Sequence, residues 1–145
     1  MSDLESEVRK EIADLHRFFV GWFGGTVDEG DLERVLVPRL DDDFFYVTPD
    51  GHRLGHDDTV TMLRGGYGKN PEFRIETRDV TIRRDCGACI LVTYTEWQKG
   101  ARASAKSENA RLTTVLLTKE RPFRWQHIHE TWLPEAERAA GSYEF

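Results

Sequence analysis

The chain has 145 residues, 39% of them apolar and 32% charged, with 20 Lys and Arg against 26 Asp and Glu for a net charge of −6. That length suits one domain, residues 1–145, around a single core. The acidic balance argues against a general nucleic-acid binder or an anionic membrane surface as partner, since each needs a basic face. No apolar run approaches the roughly 18 residues that cross a bilayer, and the acidic start MSDLESEVRKE lacks the basic and apolar segments of a signal peptide. A cytoplasmic location is the expectation.

Leu4, Val8, Ile12, Leu15, Phe19 and Trp22 recur at gaps of three and four, which predicts a long amphipathic helix that Gly24-Gly25 stops. A short second helix follows, with Asp31 as N-cap, Leu32, Val35 and Leu36 as its buried positions, and Pro38 limiting it. Asp43 to Thr48 reads as a strand that turns at Pro49-Asp50-Gly51 into a short return over His52 to Leu54. His56-Asp57-Asp58 then opens a third helix carrying Val60, Met62 and Leu63, ended by Gly65-Gly66.

From Phe73 onward the pattern changes to long strands. Phe73 and Ile75 share one parity and Val80 and Ile82 the other, a phase slip that predicts a bulge near Thr77 to Asp79. Further strands span 88–99, 107–119 and 123–133, and residues 134–140 form a short tail helix. Helices followed by a meander of strands imply an α+β fold: a curved antiparallel sheet covered by three N-terminal helices, cone-shaped around a cavity.

Cys86 and Cys89 form a CxxC at Asp85-Cys86-Gly87-Ala88, a hairpin turn feeding a strand rather than a helix. A thioredoxin-type site needs the helix, and a structural zinc needs a second ligand pair. Neither redox nor metal function is expected, and no cofactor motif is present. His127 and His129 share a strand face but lack a third ligand, and His16, His52 and His56 read as surface or capping groups.

The order helix, helix, hairpin, helix and four strands resembles the nuclear transport factor 2-like superfamily. Three stretches carry the likeness: Asp50-Gly51 to Gly55-His56-Asp57, the run DCGACILVTYTEW over residues 85–97, and RWQHIHETW over 124–132. With Ser107-Glu108, the C-terminal half looks closest to the association domain of calcium/calmodulin-dependent kinases, and it is also similar to the SnoaL-like and ketosteroid-isomerase-like branches. The kinase-association subgroup carries pocket arginines where this chain has Tyr94, Thr114 and Trp132, so a basic pocket is not expected.

The resemblance implies which strand parity faces the cavity. Gln126, Ile128, Glu130 and Trp132 would face it from the last strand, and Val92, Tyr94 and Glu96 from an earlier one. Leu112, Thr114 and Leu116 would join them, with Thr59 from the third helix and Tyr46 at the mouth. The expected site is an apolar pocket in which Glu130 is the base and Tyr94 the hydrogen-bond donor. Its ligand would be a small apolar or amphipathic molecule. The expected function is small-molecule binding by a homodimer, with isomerase, cyclase or dehydratase chemistry as its enzymatic form. The alternative is a non-catalytic oligomerisation module. Trp125, His127, His129 and Leu133 would lie on the outer face and form the dimer contact.

Overall fold

A computed structural model describes residues 2–145. Helix α1 (Asp3–Gly24) begins where Ser2 Oγ accepts the Glu5 backbone N–H at 3.1 Å, satisfying one of the free donors of the first turn. It ends at Gly25, whose φ of +72° suits glycine and lets its N–H reach the Trp22 carbonyl at 3.2 Å. Val8, Ile12, Leu15, Phe18 and Trp22 are buried on one face, and His16 is buried with them.

The second helical segment is a π turn (Leu32–Leu36) running into a 3-10 turn (Val37–Arg39). Leu32 and Leu36 are buried as their spacing predicts, but Val35 is 37% exposed. Asp31 makes no capping bond; its carboxylate pairs with Arg34 at 2.9 Å. Strands β1 (Leu40–Val47) and β2 (Arg53–Gly55) form the hairpin that enters α2 (His56–Gly65). In α2, Thr59 and Leu63 are buried, whereas Met62 is exposed.

Four long strands complete the chain: β3 (Arg74–Asp85), β4 (Cys89–Lys99), β5 (Asn109–Thr118) and β6 (Trp125–Trp132), before the short helix α3 (Glu135–Ala140). The sheet order is β2-β1-β6-β5-β4-β3. The sheet is therefore mixed, not wholly antiparallel, because β1 lies parallel to β6. The chain leaves β1 through β2 and α2, builds the meander from the far edge, and returns beside β1 from the same end. The sheet curves without closing, since β2 and β3 remain its edges.

The strand registers are irregular at four places among the described residues, also between Leu40 and Phe45 in β1 and between Ile82 and Arg84 in β3, and two of the four bear most on the site. In β3 the register breaks between Arg78 and Thr81, with Asp79 at φ +59°, in the region where the phase slip predicts it. In β6 the register shifts opposite Leu116 and Leu117, and Gln126 is left without a partner on β5. That extra residue turns Trp125 inward, where it is fully buried with its ring 6.4 Å from that of His16. The expectation that Trp125 lies on the outer face is thus corrected.

The main core joins the inner face of α1 to the concave face of the sheet. A second cluster on the convex face unites Trp97, Ala110 and Leu133 with the tail residues Tyr143 and Phe145. The Arg78 guanidinium lies 4.4 Å from the Trp97 ring centre there. Leu133 is covered by this tail, so it too is absent from the open part of the outer face.

Candidate active site

Between the concave face of the sheet and the helices lies a cavity of about 760 Å³, well within the range of small-molecule sites. Its helix wall is apolar, with Phe19, Phe23 and Leu63 among its residues. Its sheet wall changes along the strands because alternate residues share a face. Tyr94 and Ile128 lie at the inner level, Glu96, Arg111 and Glu130 form a polar belt, and Trp132 stands at the rim. The belt is assembled by register: Glu96 pairs with Arg111 across β4–β5, and Thr113 with Glu130 across β5–β6.

The belt is a continuous hydrogen-bonded chain. His16 Nδ1 faces the Ile12 carbonyl at 2.7 Å, and Nε2 faces Glu96 Oε1 at 3.0 Å. Both partners are acceptors, so both ring nitrogens carry protons and His16 is a buried cation. Gln98 donates to Glu96 Oε2 at 2.5 Å and accepts from Arg111 Nη2 at 3.0 Å. Arg111 also donates to Asn109 Oδ1 at 3.0 Å and to Glu130 Oε1 at 3.2 Å. Tyr46 donates its phenol proton to that same Oε1 at 2.5 Å. Among the described residues Glu130 Oε2 receives no hydrogen bond, which leaves it free toward the cavity.

The charges separate the two carboxyls. Burial pushes Glu96 upward, but the charge and hydrogen bond of His16, aided by Arg111, more than offset it and hold Glu96 at about 2. Burial and the adjacent Glu96 charge push Glu130 up to about 7, against the opposing pull of Arg111 and Tyr46. Burial by itself would lower His16; the Glu96 charge and hydrogen bond prevail, and the imidazole is raised. Burial and the charge of Glu96 raise Tyr94, and burial and Glu130 raise Tyr46, so both are neutral phenols able to donate. Tyr94 Oη is 3.3 Å from the protonated Nε2 of His16 and accepts there, leaving its own proton for the cavity.

Of the residues singled out from sequence, Glu130, Tyr94, Tyr46, Thr59, Glu96, Ile128 and Trp132 line this one cavity. The Thr59 hydroxyl is spent on the Gly55 carbonyl at 2.8 Å. Val92 is fully buried in the core below the cavity instead of lining it. Gln126, displaced by the β6 bulge, donates to Asp41 at 3.0 Å and takes no part. Thr114 is a correction of parity: Tyr94 and Glu130 pair with Thr113, so Arg111, Thr113 and Val115 face inward. Leu112, Thr114 and Leu116 lie on the other face, and Leu112 is 41% exposed.

Sequence reasoning missed two of the charged groups. Arg111 was lost with the inverted β5 parity, and its presence makes the pocket wall more basic than expected. The expectation of a surface or capping role for His16 overlooks that it lies four residues after Ile12 and three before Phe19, on the apolar stripe itself. Cys86 is exposed and Cys89 half-buried in the β3–β4 turn, where the Cys86 N–H donates to the Cys89 carbonyl at 2.9 Å. Among the described residues, no three His, Cys, Asp or Glu side chains gather as a metal site.

A curved, unclosed sheet wrapped by helices around a polar-belted cavity defines the cone of the nuclear transport factor 2-like proteins. A model of the SnoaL-like domain matches residues 19–132, and the chain belongs to that family. A nuclear transport factor 2-like protein of unknown function from Pseudomonas aeruginosa is 27% identical, with a TM-score of 0.79 over 88% of this chain and 99% of that one. The association domain of CaMKII from C. elegans shares the fold at 12% identity, with a TM-score of 0.61 over 90% of this chain and 99% of that one. Sucrose-phosphatase 1 of Nicotiana tabacum is 25% identical over 87% of this chain but only 31% of the enzyme, so the chain spans about a third of that curated relative's length.

Proposed function

We propose that this protein is a homodimer that binds a small, largely apolar molecule in its cavity, with Glu130 as the proton-transfer group. The observation that carries the reading is the Glu130 carboxyl itself. One oxygen is anchored by Tyr46 and Arg111, the other is free toward an open cavity, and the group titrates at about 7. A base poised near neutrality both accepts and returns a proton efficiently. Glu130 Oε2 would take a proton from a carbon next to a carbonyl, and the electron pair would move onto the carbonyl oxygen. The Tyr94 hydroxyl would donate to that oxygen. The protonated Glu130 would return the proton to another carbon, giving net isomerisation, or a cyclised or dehydrated product on a suitable substrate.

A thermal-shift screen of ketones and enones tests the binding half, because a ligand at 100 times its Kd adds about 2.7 kcal/mol of stability. Hits are then followed for exchange of their acidic protons in deuterium oxide. Glu130→Gln keeps shape and hydrogen bonding, so it should retain binding while exchange falls about 10²- to 10⁴-fold. Exchange that survives Glu130→Gln ends the catalytic part of the reading.

A second reading, a non-catalytic assembly module, is favoured by the convex face. Leu112 is 41% and Phe45 40% exposed there, beside the half-buried Leu91 and Leu116. His127 stacks on Phe45 with ring centres 6.0 Å apart. An apolar band of this kind suits burial against a second copy. In this reading no cavity ligand is found, and self-association alone is measurable.

A further inference from the structure

The chain as a whole is acidic, with 20 Lys and Arg against 26 Asp and Glu. Its cavity is the reverse: five Lys and Arg line it against three Asp and Glu, before the His16 cation is added. Four of those five cations, Lys69, Arg102, Lys106 and Arg138, stand outside the polar belt. Arg111 spends both terminal nitrogens on Glu130, Gln98 and Asn109, and its Nε, though without a hydrogen-bond partner among the described residues, is buried in the belt. The surplus therefore sits at the rim.

The rim cations are little neutralised. Arg102 donates Nη1 to the Lys69 carbonyl at 2.9 Å, which ties the β4–β5 loop to the segment after α2 and brings both side chains to one stretch of the opening. The nearest carboxylate to Lys106 is Glu135, 3.9 Å away, with both side chains largely exposed. Arg138 projects from α3 beside the Trp132 ring, 6.0 Å from its centre. Arg138 Nε is buried without a hydrogen-bond partner among the described residues, a costly state for a cationic donor unless a ligand completes it. No carboxylate lies in salt-bridge range of Lys69, Arg102 or Arg138 among the described residues.

We propose that the cavity selects an amphipathic acid, whose carboxylate is held at the rim by Lys69, Arg102, Lys106 and Arg138 while its apolar body runs inward past Glu130 to Ile128. The inference rests on the small-molecule reading of the cavity and specifies its substrate class. Four strand residues separate Trp132 at the rim from Ile128, about 13 Å of extended β6, so a medium-chain or bicyclic acid spans the depth. The anion at the rim fixes which end enters, and it sets the chain carbons beside Glu130 Oε2.

Calorimetric titration compares two acids with neutral molecules of the same body: decanoate with decanol, and naphthaleneacetate with naphthaleneacetamide. At low salt each acid should bind about tenfold tighter than its neutral counterpart, as several partly exposed charge contacts provide together. The advantage should shrink as salt is raised, because rim charges are screened. In the triple variant Lys69→Gln, Arg102→Gln, Lys106→Gln, whose sites are exposed, the Kd values of acid and neutral partner should converge. Arg138→Gln should narrow the gap by itself. Equal affinity of acids and neutral molecules for the wild-type protein overturns the inference and leaves the small-molecule reading standing. If none of the four binds, the inference falls, and the small-molecule reading is decided by the ketone and enone screen.

Discussion

His16 and Glu96, 80 positions apart in the chain, meet at 3.0 Å with side-chain exposures of 6% and 7%. Each holds the other in its charged form inside the core. Glu96, held at about 2, contributes stability that is complete above its ordinary value of 4.5 and is lost as pH falls toward 2. His16, raised, contributes stability that is complete below its ordinary 6.5 and is lost as pH climbs through its folded value. The pair is therefore strongest between pH 4.5 and 6.5.

His16→Gln leaves Glu96 buried without its counter-charge, a change that typically costs about 3–5 kcal/mol. Urea unfolding of both proteins across pH should give the largest gap inside that window and a shrinking one above it. A gap that keeps growing toward alkaline pH would contradict the pairing.

Glu130 has the opposite sign. Its folded value of about 7 lies above the ordinary 4.5, so the folded state holds a proton that the unfolded chain releases. Stability from this group is complete below 4.5 and declines as pH rises to 7. Glu130→Gln should therefore be more stable than wild type above pH 7, by up to about 3 kcal/mol, and near parity in mild acid. Thermal melts at several pH values decide it; a variant less stable at alkaline pH means Glu130 is ionised at no cost.

Arg111 counters two carboxylates at once. Arg111→Met should cost about 3 kcal/mol or more, because both acids lose their shared partner. Arg111→Lys should recover only part, since an ammonium lacks the forked donors that reach Glu130, Gln98 and Asn109 together. Adding Glu130→Gln to Arg111→Met should restore stability more than the single changes sum to. Simple additivity in that cycle would show that the two side chains do not act together.

The convex face yields a test of assembly. Leu112→Glu introduces a charge where the outer surface is most apolar, and in a two-fold contact it would act from both copies. Light scattering on wild type should give twice the 16.8 kDa of one chain, and the variant should fall to the single mass with its melting temperature in the monomer range unchanged. Wild type at the single mass refutes the dimer.

Much of the fold could be read from the chain because its periodicities are strong. The α1 stripe, the Gly24-Gly25 stop and the phase slip before Val80 each correspond to an observed feature. The lining of the cavity was legible only where parity ran unbroken. Alternation groups Tyr94 with Glu96, and Ile128 with Glu130 and Trp132, the family resemblance turns those sets inward, and all five line the cavity. Thr114 failed because β5 is apolar or Thr on both faces, so nothing in LTTVLL marks the inner one. Gln126 and Trp125 failed because a single-residue bulge reverses the face without any glycine to announce it. The parallel placement of β1 is a long-range choice that no local pattern encodes.

The seat of β1 beside β6 also governs when the cone can form. Among the described residues the β1–β2 hairpin joins the rest of the sheet only through the last strand, so a nascent chain that has not yet delivered residues 125–132 has no strand to pair it with. Until then Tyr46 is separated from Glu130, 84 positions later, and the sheet wall of the cavity is incomplete. Such late, distant closure makes for slow folding relative to a helical bundle of equal length. It also leaves the aromatic strand Phe44-Phe45-Tyr46 waiting in the open during synthesis, when it is most vulnerable to pairing with the wrong neighbour.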